Sequence, residues 1–285
     1  MNKTTVQISR YVRSAWSALI ALALILLTGC GGTAEYRAIT DVNDLRGARV
    51  GVNLAWESDY LLTGRRDLEL YRYDSVADML MALNSGKLDA IAIDAASSAV
   101  VMSQIDGINV IEPSLGESGY VFYFTPGEKR LLVEFNAFLA EWMPGADYED
   151  YLRRQAAFDG VNYPGVDFPV EESGETIQIA YNIFAFPWAF QNTVTGEPDG
   201  FDVEVLRRWA AERGYQLAFT GTNYDDMVMG TLEGRYQLCL GAVSDFYTED
   251  ALAAGLLVSD SFGEISIHFC QKAGETINMD GYNYD

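Results

Sequence analysis

The residues of this sequence best suited to act on a bound molecule are aromatic. The run IQIAYNIFAFPWAF gathers Tyr181, Phe184, Phe186, Trp188 and Phe190 around Pro187. It follows Ile177 to Tyr181, an apolar segment that alternates as a strand does. A loop so placed sits at a strand's carboxyl end, where open α/β sheets hold their ligands. Flat rings there can stack on a solute or attract a cation; in the same positions they can also be core. Trp188 and Phe186, at the loop tip beside Pro187, are the choices for a cleft, with Tyr181 just before them. Asp94 ends a second apolar run, LDAIAID, and is placed to cap a helix starting at Ala95.

Enzyme motifs are nearly absent. The single histidine, His268, lies inside an apolar strand, and no Cys/His cluster has metal spacing. No glycine-rich phosphate loop follows a strand, and no G-x-S-x-G elbow occurs. Carboxylates abound, but unplaced pairs carry no meaning in so acidic a chain. The expectation is a binding protein with no catalytic residues, no cofactor and no metal.

The elements that must hold these residues alternate. ARVGVN, LELYRY, LDAIAID and INVIEP predict strands, separated by helices at Glu57 to Leu62, Val76 to Leu83 and Ala96 to Gln104. GYVFYF predicts another strand. Leu131, Phe135, Phe138, Leu139 and Trp142 then share one face of a long helix over Lys129 to Trp142, and Asp147 to Phe158 predicts a further one. After the aromatic loop, TGEPDG is turn chemistry. Phe201 to Arg213 predicts a helix capped by Asp202 and ended by Gly214. Short strands interleaved with helices mean an α/β fold of covered, mainly parallel sheets. Gly160 to Glu175 carries Pro164, Gly165, Pro169 and Gly174 without periodicity and divides two lobes, 41–159 and 176–274. DSVADMLMALNSGKLDAIAID and NYDDMVMGTLEGRYQLCLGAV echo each other across that divide, which any two βαβ units could also do.

The net charge of −22 over 285 residues argues against nucleic acid as a partner. Cys239 and Cys270 fall in two predicted strands of one lobe. In an exported protein they could pair, though two buried thiols are preferred.

The order of strand, aromatic loop, turn, GFDVEVL helix and strand resembles the first lobe of the family 3 solute-binding proteins, the polar amino acid receptors of ABC importers. LVSDSFGEISIHFCQKAG resembles that family's segment leading into the hinge strand, and DLRGARVGVN the opening of its second lobe. The resemblance covers both lobes, in the order second-lobe-like and then first-lobe-like. It implies the type II periplasmic-binding-protein fold, with two lobes closing on one solute and docking on a membrane permease. It also implies ligand contacts for Phe186, Trp188 and Tyr181, and for Asp94 a partnership with a ligand amino group, against its alternative as a helix cap. Thr248 matches the threonine of the family's T-x-x-R segment. The arginine place falls on Ala251, beside Glu249 and Asp250, and the family's small hydroxyl loop is replaced by Leu54, Ala55, Trp56 and Glu57. Both usual grips on an α-carboxylate are therefore missing, so the expected solute is neutral or cationic, with Trp56 at the cleft. Two alternatives stay open: a sensor or scaffold module with a degenerate cleft, and a dehydratase-like enzyme on the same fold.

Residues 1–29 predict a lipoprotein signal peptide. Lys3, Arg10 and Arg13 form its basic region, Ala15 to Leu27 its apolar region, and LLTGC resembles the bacterial lipobox. Cleavage before Cys30 would leave a lipid-modified cysteine that holds the protein at the extracytoplasmic membrane face through a tether, 30–40; the alternative is an uncleaved anchor. Residues 275–285 show no pattern and are expected to be a tail.

Overall fold

A computed structural model describes residues 36–39, 42–54, 56–73, 75–169, 173–272 and 276–278. The expected signal peptide, Cys30 and most of the expected tail lie outside the described residues. Tyr36–Ala38 (β1) and Thr276–Asn278 (β15) pair as a two-stranded sheet. The body, 38–275, forms one compact unit.

Two five-stranded sheets organise this body. The leading sheet contains Arg49–Asn53 (β2), Glu69–Tyr73 (β3), Ala90–Asp94 (β4), Ile108–Tyr120 (β5) and Phe262–Lys272 (β14), in the order β3-β2-β4-β14-β5. The trailing sheet contains Tyr123–Phe124 (β6), Thr176–Asn182 (β7), Gln216–Thr222 (β11), Leu238–Leu240 (β12) and Leu257–Val258 (β13), in the order β11-β7-β12-β6-β13. The two plans match strand for strand. In each, three parallel strands are followed by one antiparallel strand that the other half of the chain supplies: β14 beside β4, and β6 beside β12. The fold is thus two-lobed α/β, as expected. Each sheet is mixed, with the crossing strand alone running against the others and pairing antiparallel on both its sides.

These exchanges correct the expected boundary at 159. INVIEP and GYVFYF were expected as separate strands. Instead, β5 runs unbroken through the Pro-Ser-Leu-Gly stretch between them, and the chain then passes into the trailing sheet as β6. The helices that follow, Lys129–Trp142 (α4) and Ala146–Ala156 (α5), pack with the trailing lobe. The five apolar residues expected on one face of α4 are all buried there, beside Ile177, Ile179 and Trp209. Arg154 of α5 grips Glu204 in Phe201–Arg213 (α6) through two bonds of 2.5 and 2.7 Å. Tyr163 donates to the same carboxylate at 3.0 Å, which fastens the expected linker to the trailing lobe. Cys239 and Cys270 are free and buried in different sheets, β12 and β14, not in one lobe. Burial pushes both thiols up to about 12.

The internal echo is structural. Val76–Asn84 (α2) in the leading lobe and Tyr224–Leu232 (α7) in the trailing lobe each start from a side-chain cap. Ser75 accepts from Asp78 N–H at 3.1 Å and Asn223 from Asp226 N–H at 2.9 Å. Short polar side chains are favoured at these positions because they satisfy an amide with no helical partner. Among the described residues, no helix is long and apolar enough to cross a membrane.

Candidate functional site

The carboxyl ends of the parallel strands of both sheets open onto one cavity of about 610 Å³, within the range of small-molecule sites. From the leading lobe it is lined by Asn53, Leu54, Trp56, Glu57, Ser75 and Val76; from the trailing lobe by Asn182, Phe184, Tyr224, Asp225, Ala242 and Tyr247, among others. Corresponding positions face each other. Asn53 ends β2 as Asn182 ends β7, and the capped starts of α2 and α7 both border the space.

The lobes meet beside this cavity. Tyr247 donates to the Trp56 carbonyl at 2.9 Å. Tyr60, on the helix Glu57–Leu62 (α1), stacks on Phe246 at 5.3 Å. Asp245 gathers both connecting strands: its Oδ1 accepts from Ser118 Oγ at 2.8 Å, and its Oδ2 from Gly119 N–H at 3.0 Å and Ser261 Oγ at 2.8 Å.

The aromatic loop divides its rings differently from the expectation. Phe184–Ala185 (β8) and Ala189–Gln191 (β9) form a hairpin whose tip is closed by Trp188 N–H donating to Ala185 at 2.6 Å. This turn folds Trp188 inward, 4.2 Å from Tyr120 and 5.5 Å from Phe201, so the indole is core and not a cleft wall. Phe186 packs edge-on to Phe158 and Phe190, also away from the cavity. Phe184 is the ring that reaches it, and it is 71% exposed. The tip also caps α6, since the Pro187 and Trp188 carbonyls accept from Phe201 and Asp202 N–H at 3.1 and 2.9 Å. Only glycine fits the junction: Gly200 sits at φ +126°, where a Cβ would lie 2.3 Å from the Trp188 carbonyl oxygen.

The helix cap expected of Asp202 therefore belongs to Gly200. Asp202 is fully buried and accepts at 2.9 Å from Ala242 N–H, bracing the positive-φ backbone of the cavity floor. Burial pushes its carboxyl up to about 7. Asp94 takes its alternative role: its Oδ1 caps Ala95–Gln104 (α3) from Ser97 N–H at 2.9 Å, and it is buried below the cavity rather than in its wall. Tyr181 packs edge-on to Phe219 outside the cavity. Thr248 opens Thr248–Ala254 (α8) one residue past Tyr247 and is not a lining residue, while Ala251 is buried in a separate apolar cluster. Of the expected site residues, only Trp56 lines the cavity. The sequence reading places Phe184 in the aromatic loop but prefers Phe186 and Trp188 for the cleft; Asn53, Asn182, Tyr224 and Tyr247 are not among its choices, though an asparagine closing each of two matching strands is visible in the sequence.

The electrostatics are one-sided. Among the described residues, the carboxylic acids lining the cavity are Glu57 and Asp225, with no Lys, Arg or His. Glu57 is 6% exposed; burial, reinforced by Asp94, Asp245 and Asp202, pushes its carboxyl up to about 8. Removal from water disfavours the ionised form, and neighbouring carboxylates add to the cost. Among the described residues, no group of three or more His, Cys, Asp or Glu could hold a metal ion.

No family model matches the chain, and no curated protein matches it. In structure it is similar to the GluR0 ligand-binding core in complex with L-glutamate, at 12% identity and a TM-score of 0.40, over 80% of this chain and 85% of that one. It is similar to a phosphate-binding protein of a phosphate ABC transporter from Streptococcus pneumoniae, at 8% identity and 0.41, over 79% and 89%. It is also similar to a mutant of ArgBP from T. maritima, at 12% identity and 0.40, over 81% and 83%.

Proposed function

We propose that this chain is an extracytoplasmic solute receptor of the family 3 type, held at the membrane through Cys30 and delivering a small polar solute to an ABC importer permease. The observation that carries the binding role is the cavity itself, walled by both lobes at the carboxyl ends of two matching sheets. A solute held there bridges the lobes, and the connections at β5 and β14 are the places about which they would close. Thermal shift across amino acids, amines, sugars and inorganic anions tests it, because a ligand that binds only the folded state raises the melting temperature. Stabilisation by at least one solute, without turnover of that solute, is expected. Turnover would mark an enzyme, and silence from the whole panel would mark a scaffold with a closed-off cleft.

A further inference from the structure

One acceptor in the cavity wall has no partner, and a carboxyl beside it has no cation among the described residues. Asn53 is 3% exposed, and its Oδ1 has no partner. Glu57 lines the same cavity, and its carboxyl is met by its own backbone N–H. Among the described residues, the groups that act most strongly on Glu57 are carboxyls and bring no positive charge. They are Asp94 from the end of β4, Asp202 from the first turn of α6 and Asp245 from the turn before α8. Tyr120 of β5, Tyr224 of α7 and Tyr247 also feel its charge. On α1 itself, Asp59 is occupied by Arg72 at 2.9 Å. A solute carboxylate entering this space would meet the carboxyl groups of Glu57 and Asp225 in the wall and, among the described residues, no lining cation, a strongly disfavoured placement. A donor cation satisfies Asn53 and compensates Glu57 together.

We infer that the cleft takes a hydrogen-bond-donating cation without a carboxylate, a protonated amine or guanidinium whose N–H groups reach Asn53 Oδ1 and the Glu57 carboxyl while Phe184, Trp56 and Tyr247 flank its stem. This rests on the receptor function proposed for the same cavity. It also makes the solute exchange for a proton. Free Glu57, at about 8, is mostly protonated at neutral pH. An adjacent cation demands the carboxylate, so the proton leaves to the buffer as the solute binds.

Calorimetric titration of the intact protein with agmatine, putrescine, choline, arginine and glutamate, each in two buffers of different ionisation enthalpy, tests this. Agmatine or putrescine is expected to bind at least ~10-fold more tightly than arginine or choline. At pH 7 most of one proton should be released per amine bound, and affinity should rise by up to ~10-fold per pH unit from pH 6 to 7. Glu57→Gln should abolish the proton release and weaken the amine by at least ~10-fold, with an unchanged circular dichroism spectrum. Asn53→Ala should weaken the amine and leave choline unaffected. Tighter binding of glutamate or arginine, equal binding of choline, or amine binding without proton release would overturn the inference and leave the receptor function standing. Silence from every compound here and in the wider thermal-shift panel would overturn both.

Discussion

Glu57→Gln should make the ligand-free protein more stable, and the gain should depend on pH. Glu57 is buried at the start of α1 without a cation, and its carboxyl is raised from an ordinary value of 4.5 to about 8. Between those two values the folded protein holds a proton that the unfolded chain has released, so stability falls as pH rises through the window. Below pH 4.5 the residue costs nothing on this account. The loss amounts to roughly 1 kcal/mol at pH 5, about 3 kcal/mol at pH 7 and close to 5 kcal/mol at pH 9, at 1.36 kcal/mol per pKa unit. Glutamine keeps the shape and never ionises, so it recovers that amount at each pH. Asp202, whose carboxyl burial pushes up to about 7, is present in both proteins and largely cancels in the comparison. Urea unfolding of both proteins at pH 5, 7 and 9, followed by tryptophan fluorescence, gives the difference directly. A gain that grows with pH is expected. A gain independent of pH, or a variant less stable at pH 9, would show that Glu57 is solvated or paired and would refute the reasoning.

Trp188→Ala empties a core position against Tyr120 and Phe201 and should cost ~3–5 kcal/mol in urea unfolding. Phe184→Ala, at an exposed position, should change stability by less than ~0.5 kcal/mol yet weaken the bound solute in calorimetry. Arg154→Ala strands the buried Glu204 carboxylate, 2% exposed on its side chain, and should cost ~3–5 kcal/mol at neutral pH by the same unfolding assay. Cys30→Ser should accumulate precursor without lipid label in cells fed a labelled fatty acid; normal maturation of that variant would remove the proposed anchor.

The parts of this fold visible in the sequence are those written in local periodicity. The buried stripe of α4, the helix of α6 and the echo between the α2 and α7 units each follow from spacing within twenty residues or so, and each is present. Strand exchange is not local. Nothing in INVIEPSLGESGYVFYF marks where one sheet ends and the other begins, because the passage falls inside the single apolar run YVFYF, with Tyr120 ending β5 and Tyr123 opening β6. The aromatic loop failed for a related reason. Phe184, Phe186 and Trp188 alternate, and a hairpin turn decides which ring faces the cavity and which enters the core. Aromatic types alone do not reveal that turn. Glu57 was legible as a departure from the family's pattern, and it proves the most informative charge in the site. Asp202 was legible only as a helix cap. Its bond to Ala242, forty residues along the chain, is a property of packing.

Closure of the two lobes on a solute is the central claim, and a distance across the cleft tests it most directly. Met81 on α2 and Met229 on α7 are exposed, and the starts of their helices border the cavity from opposite lobes. Cys239 and Cys270 are buried, and burial pushes both thiols up to about 12, so Met81→Cys and Met229→Cys supply the exposed sites for spin labels. Double electron–electron resonance with and without a solute that stabilises the protein should show the label separation shorten and its distribution narrow. The same separation in both states, with the solute demonstrably bound, would contradict a receptor that closes around its ligand.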